Sequence, residues 1–238
     1  MKEKWATGLK GLVGGTWSAV GHGFVQQIKV GSEYVNTWNP YKDPQQHVTR
    51  ISRVFPDNGP IPDGDFTGVY PCHGPDITCN RGGNIPVKMT TKIPAGTTIQ
   101  FLWTDWQSDH PGPIMTYIAE CPKGCSTFKV YRQCLVQVKI QEDVNSTWPA
   151  TIPATLRPGE YLLRHEILGL QRATEVGRAQ FYPACHQITV TGSGTKALPA
   201  GIALPGNYTL DDPGILLQYR DISATNPYTP LGGRVWRG

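Results

Sequence analysis

The chain has 238 residues, 39% of them hydrophobic and only 17% charged, with a formal net charge of +4. That length suits one large domain or two small ones around a sizeable core, and no uncharged apolar run approaches the roughly 20 residues of a transmembrane helix. The basic residues form no blocks, which leaves no footprint for nucleic acid, and 27 Gly with 21 Pro point to a turn-rich β protein rather than a disordered or collagen-like chain.

Residues 1–21 read as a leader. Lys2 and Lys4 precede a mildly apolar, glycine-rich stretch, and Ala19-Val20-Gly21 puts small residues at minus three and minus one of a signal-peptidase cut. Cleavage there makes His22 the first residue of a secreted chain. Short alternating or β-branched runs follow at Phe24–Val30, Thr97–Trp103, Ile114–Ala119, Phe128–Ile140, Glu160–Leu170 and Ala179–Val190. Turn signals such as Pro94-Ala95-Gly96, Pro158-Gly159 and Gly192-Ser193-Gly194 separate them. Residues 22–238 are therefore expected to form a single all-β domain, an immunoglobulin/fibronectin III-like antiparallel β-sandwich with long loops. The stretch 31–96 and the tail from 195 read as irregular, and loops that long often carry function.

The cysteines are Cys72, Cys79, Cys121, Cys125, Cys134 and Cys185. An even count in such a chain suggests three disulfides. Cys121 and Cys125 read either as a zinc half-site or as a local disulfide, and the lack of a second close pair favours the disulfide. Asn145-Ser146-Thr147 and Asn207-Tyr208-Thr209 are glycosylation sequons in turn-like settings.

No nucleophile elbow, HExxH helix or phosphate loop is present in the sequence. Six histidines remain. If cleavage frees the amine of His22, that amine and the imidazole Nδ1 can close a six-membered chelate on one metal ion. A second imidazole makes three nitrogens, a set that suits copper(II). The candidate is His110, in a turn between two strands. Further along, Gln180 and Tyr182 share one side of a strand and Phe181 takes the other. Those two with His165 read either as a functional group or as a buried polar cluster satisfying itself.

Longer motifs decide between these readings. The His22-Gly23 start, Asp76-Ile77-Thr78-Cys79-Asn80, His110-Pro111-Gly112-Pro113, Pro158-Gly159-Glu160-Tyr161-Leu162-Leu163-Arg164-His165-Glu166 and Ala179-Gln180-Phe181-Tyr182-Pro183-Ala184-Cys185 occur in order. Together they resemble fungal lytic polysaccharide monooxygenases of auxiliary-activity family 9, formerly family 61 of the glycoside hydrolases. The resemblance implies one copper ion held by His22 (amine and ring) and His110, with Tyr182 as the distant axial ligand and His165 and Gln180 as its outer partners. It implies disulfides Cys79–Cys185 and Cys121–Cys125, leaving Cys72 for Cys134. Two local departures stand out: Gly169-Leu170-Gln171 replaces the usual Ala-Leu-His, and Pro230-Leu231-Gly232-Gly233 replaces Pro-Gly-Pro.

The implied activity is oxidative cleavage of insoluble β-1,4-glucan such as cellulose at carbon 1 or carbon 4. Dioxygen or hydrogen peroxide is the implied co-substrate and an external reductant or protein the electron donor. The protein is expected to be secreted and monomeric, without nucleic-acid or membrane partners. Aromatic side chains would stack on the sugar rings: Tyr228 first, then Tyr34, Trp38 and Tyr41 in the loop after the first strand. The alternative is a copper- or polysaccharide-binding protein of the same fold without turnover.

Overall fold

In Thr98–Trp103, exposed side chains alternate with buried Ile99, Phe101 and Trp103, the signature of a strand with one wet face and one in a core. This strand, β4, pairs antiparallel with β1 (Val25–Val30) and with β7 (Thr147–Thr151), while β2 (Glu33–Asn36) flanks β1. The resulting four-stranded sheet runs β2-β1-β4-β7. The computed structural model describes residues 22–61, 74–106, 108–121 and 146–238, with the backbone alone for 131–140.

The second sheet has the order β10-β6-β5-β8-β9-β3. Its members are β3 (Thr91–Pro94), β5 (Pro113–Glu120), β6 (Tyr131–Ile140), β8 (Gly159–Gly169), β9 (Gln180–Thr191) and β10 (Ile202–Leu204). In β8 and β9 nearly every side chain is buried, so both faces of this sheet are covered. Inward residues Leu163 and Ile167 of β8 and Tyr182, Ala184 and Ile188 of β9 meet Ile28, Phe101, Trp103 and Trp148 of the facing sheet. On the outer face, Met115, Tyr117, Leu168 and Phe181 pack beneath Ile77, Leu204, Tyr208, Ile215 and Leu231. Parts of the stretches that look irregular in sequence thus cover this outer face, among them Ile77 of the short helix α2 (Asp76–Cys79) and the tail, while α1 (Asp43–Gln46) lies in the loop after β2. A disulfide joins Cys79 of α2 to Cys185 of β9.

The expected sandwich is present with one amendment. Strand β3 pairs parallel to β9, so the second sheet is mixed rather than purely antiparallel. Tyr34 belongs to β2 and not to a loop. Cys121 is disulfide-bonded, whereas Cys72, Cys125, Asn145 and the Cys134 side chain lie outside the described residues. Asn207 is exposed in the turn after β10. Among the described residues no helix is long and apolar enough to cross a membrane.

The candidate metal centre

His22 and Gly23 lead into β1, and the turn holding His110 runs into β5. Backbone bonds fix both approaches: Phe24 and Thr104 bond to each other, and the Leu170 amide after β8 donates to the Pro111 carbonyl at 2.8 Å. Gly23 permits the close passage, because a Cβ there would stand 2.7 Å from Thr104 Oγ1 and 3.1 Å from the Trp106 ring. Two segments far apart in sequence are thereby delivered to one edge of the sandwich.

The imidazoles of His22 and His110 meet edge-on, with ring centroids 6.0 Å apart and planes at 86°. Metal–nitrogen bonds of about 2.0 Å to opposing imidazoles place their centroids roughly 6 Å apart, so the gap fits one ion. The His110 Nδ1 donates to Asp109 Oδ1 at 2.7 Å, which leaves the Nε2 lone pair for a metal in the usual carboxylate–histidine pattern. Burial first, and then the neighbouring His110, lower the pKa of His22, with Asp57 and Asp109 opposing. The ring is therefore neutral near pH 7 and able to bind. Among the described residues no group of three or more His, Cys, Asp or Glu side chains gathers.

Tyr182 stands beside this pair, its ring 6.0 Å from that of His22, and its hydroxyl donates to Gln180 Oε1 at 3.0 Å. Trp106 buttresses the group. It lies edge-on to Tyr182 at 4.9 Å and to His110 at 6.0 Å, and its Nε1 donates to the His110 carbonyl at 3.0 Å. Asn58 adds a polar link, donating from Nδ2 to the His22 carbonyl at 3.3 Å and accepting from the Tyr41 hydroxyl at 2.6 Å. Neither Trp106 nor Asn58 stood out in the sequence, since each is an isolated residue in a loop.

The expected residues do not all converge. His165 lies on the inward face of β8, 1% exposed and opposite Ala184, while Gln180 lies opposite Gly169. Four residues of extended chain, roughly 13 Å, separate those rungs. His165 stacks on Phe101 at 3.8 Å and its Nδ1 bonds to Thr116 Oγ1 at 2.8 Å. Burial, with smaller contributions from His186 and Arg164, holds its pKa well below the ordinary value, so it is a neutral core residue. The side chain that reaches Gln180 is Gln171, whose Nε2 donates to Gln180 Oε1. The one signal pointing to it was the departure Gly169-Leu170-Gln171.

The aromatic candidates also divide. Tyr228 packs against the outer core with its hydroxyl donated to the Gly214 carbonyl at 3.0 Å, so it anchors the tail. Tyr34 pairs with Lys29, whose ammonium lies 5.3 Å from its ring, four residues along β1 past Val25. Trp38 is partly buried and donates to the Phe55 carbonyl at 2.9 Å. Tyr41, 54% exposed and tied through Asn58 to His22, is the one beside the histidines.

A family model described as Auxiliary Activity family 9 (formerly GH61) matches residues 22–228. The AA9 family lytic polysaccharide monooxygenase B of Gloeophyllum trabeum is 37% identical over 240 residues, covering 91% of this chain and 92% of that one. The corresponding enzyme F of Podospora anserina is 33% identical, covering 90% and 93%. Among solved structures, the extended catalytic domain of H. jecorina LPMO9A is similar with a TM-score of 0.79 at 28% identity, covering 91% of this chain and 92% of that one. A cellulose-active polysaccharide monooxygenase from M. thermophila reaches 0.74 at 26% identity, covering 91% and 100%. With the match beginning at His22 and taking in every residue of the cluster, the chain belongs to Auxiliary Activity family 9, the lytic polysaccharide monooxygenases, which are copper-dependent oxidoreductases.

Proposed function

We propose that the protein is secreted and cut after Gly21, and that one copper ion would be held through the His22 amine and ring and the His110 Nε2, with the Tyr182 phenol beside it. The observation that carries this reading is the edge-on imidazole pair with His110 Nδ1 already committed to Asp109. Bound copper, reduced by an external donor and supplied with dioxygen or hydrogen peroxide, provides the oxidising power to hydroxylate a C–H bond beside a glycosidic oxygen. The residues here do the rest. His22 and His110 would hold the ion at the sandwich edge, Trp106 and Asn58 hold the two histidines, and Gln180 accepts a hydrogen bond from the Tyr182 hydroxyl.

The substrate is an insoluble β-1,4-glucan, with cellulose the first choice because the related M. thermophila protein is described as cellulose-active. Tyr41 is the residue placed to stack on a sugar ring next to the ion, and the protein acts as a monomer. Incubation of copper-loaded protein with cellulose, ascorbate and peroxide should release oligosaccharides oxidised at carbon 1 or carbon 4, seen by mass spectrometry. Copper uptake without any oxidised product would point to the non-catalytic binding protein, and unoxidised sugars formed without reductant to a hydrolase.

A further inference from the structure

Gln171 and Gly169 form a device next to the site. Gln180 Oε1 accepts from two donors at once, the Tyr182 hydroxyl at 3.0 Å and Gln171 Nε2. Gln180 lies directly across the β8–β9 ladder from Gly169. A Cβ built on Gly169 would stand 2.7 Å from Gln171 Oε1 and 3.5 Å from both Cδ and Nε2. The Gln171 amide therefore folds back over bare backbone, and an alanine methyl at 169 would occupy the place of its oxygen. The two departures in Gly169-Leu170-Gln171 explain each other. Gln171 Oε1 is moreover buried without a hydrogen-bond partner, an arrangement that needs a reason when native proteins satisfy nearly all such atoms.

We propose that Gln171, seated on Gly169, is a positioning residue that locks the Gln180 amide with its carbonyl toward Tyr182. An amide carries its oxygen and nitrogen on opposite prongs of one planar group, so with Oε1 held by two donors the Nε2 end is turned away from both. The Tyr182 hydroxyl hydrogen is then directed at Gln180, and the phenol oxygen can turn a lone pair toward an ion held by His22 and His110. Gln180 Nε2 is left as a donor for a small ligand at that centre. Such outer partners tune a metal without touching it. The inference deepens the copper reading and rests on it, but the lock itself is a property of the polypeptide alone.

Two variants separate the lock from the metal. Gly169→Ala displaces Gln171 sterically, and Gln171→Leu removes the donor at similar volume. In the metal-free protein each should move the Gln180 side-chain amide resonances in nitrogen–proton correlation spectra. After copper(II) loading each should change the electron paramagnetic resonance parameters while calorimetric copper affinity stays as in the parent. Azide, a small anion able to accept from Gln180 Nε2, should bind the copper about fivefold more weakly, as expected for one neutral hydrogen bond. The double variant should match Gln171→Leu alone, because Gly169 acts only through Gln171. Unmoved Gln180 resonances, unchanged azide affinity or additive effects of the two changes would each overturn the proposal. A protein that takes up no copper would defeat the copper reading instead, and the metal-free spectra would still decide the lock.

Discussion

Replacement of His110 by alanine is expected to weaken copper(II) binding by more than about 100-fold, beyond the 10–100-fold that outer partners carry. The side chain would supply one of three nitrogens, and the residue is held in place at its ring and at its backbone. Asp109 takes Nδ1 at 2.7 Å and Trp106 Nε1 grips the carbonyl at 3.0 Å. Asp109→Asn should cost less, at the lower end of that outer range, because Asp109 is 68% exposed and its interaction is screened by water. Competition calorimetry on both variants gives the order directly. Copper affinity in His110→Ala equal to that of the parent would remove His110 from the ligand set.

Glu166→Ala should destabilise the fold by about 3–5 kcal/mol, the usual consequence of stripping one partner from a buried ion pair. Arg164 is 1% exposed and Glu166 fully buried, and they meet bidentately at 2.5 and 2.6 Å. Burial alone opposes the Arg164 charge, yet the adjacent Glu166 carboxylate outweighs it and raises the guanidinium pKa. The same guanidinium donates to the Ile77 and Thr78 carbonyls at 2.8 and 2.9 Å, and Tyr208 donates to Glu166 at 3.3 Å. One charged pair therefore ties α2 and the C-terminal tail to the strand adjoining the one that presents Gln180 and Tyr182. Urea unfolding measures the loss. The double change Arg164→Met with Glu166→Leu should be milder than Glu166→Ala, since no charge is left stranded; an equal loss would mean that shape rather than charge holds the layer.

The six strands legible in the sequence are β1, β4, β5, β6, β8 and β9, all interior members of the two sheets. The four that were not, β2, β3, β7 and β10, are the sheet edges. Edge strands are kept short, polar or interrupted by proline to discourage pairing with other chains, and Pro149 in β7 and Pro94 in β3 are of that kind. The same features that protect an edge erase its period-two pattern. The tail looked irregular for a related reason: it covers a sheet face with scattered side chains such as Tyr208, Ile215 and Leu231 and needs no period of its own.

At the site, residue type pointed to His22 and His110 and the family motifs added Gln180 and Tyr182, and the fold brings these four to one edge. His165, brought into the site by its place in the Arg164-His165-Glu166 motif, shows where motif matching fails. Strand alternation assigns a side chain to a face but not to a depth along that face, and His165 is on the inward side several rungs from Gln180. Gln171 lies beyond the end of β8, where the side chain's direction depends on the glycine before it. Trp106 and Asn58 became functional only through contacts across the fold.

Copper(II) loading of the chain that begins at His22, set beside the same chain with Gly21 still attached, tests the three-nitrogen centre most directly. The free amine should give tight calorimetric binding and a tetragonal electron paramagnetic resonance spectrum rich in nitrogen coupling, and the extended form should lose both. Equal affinity and the same spectrum from the two forms would show that the amine of His22 is not a ligand.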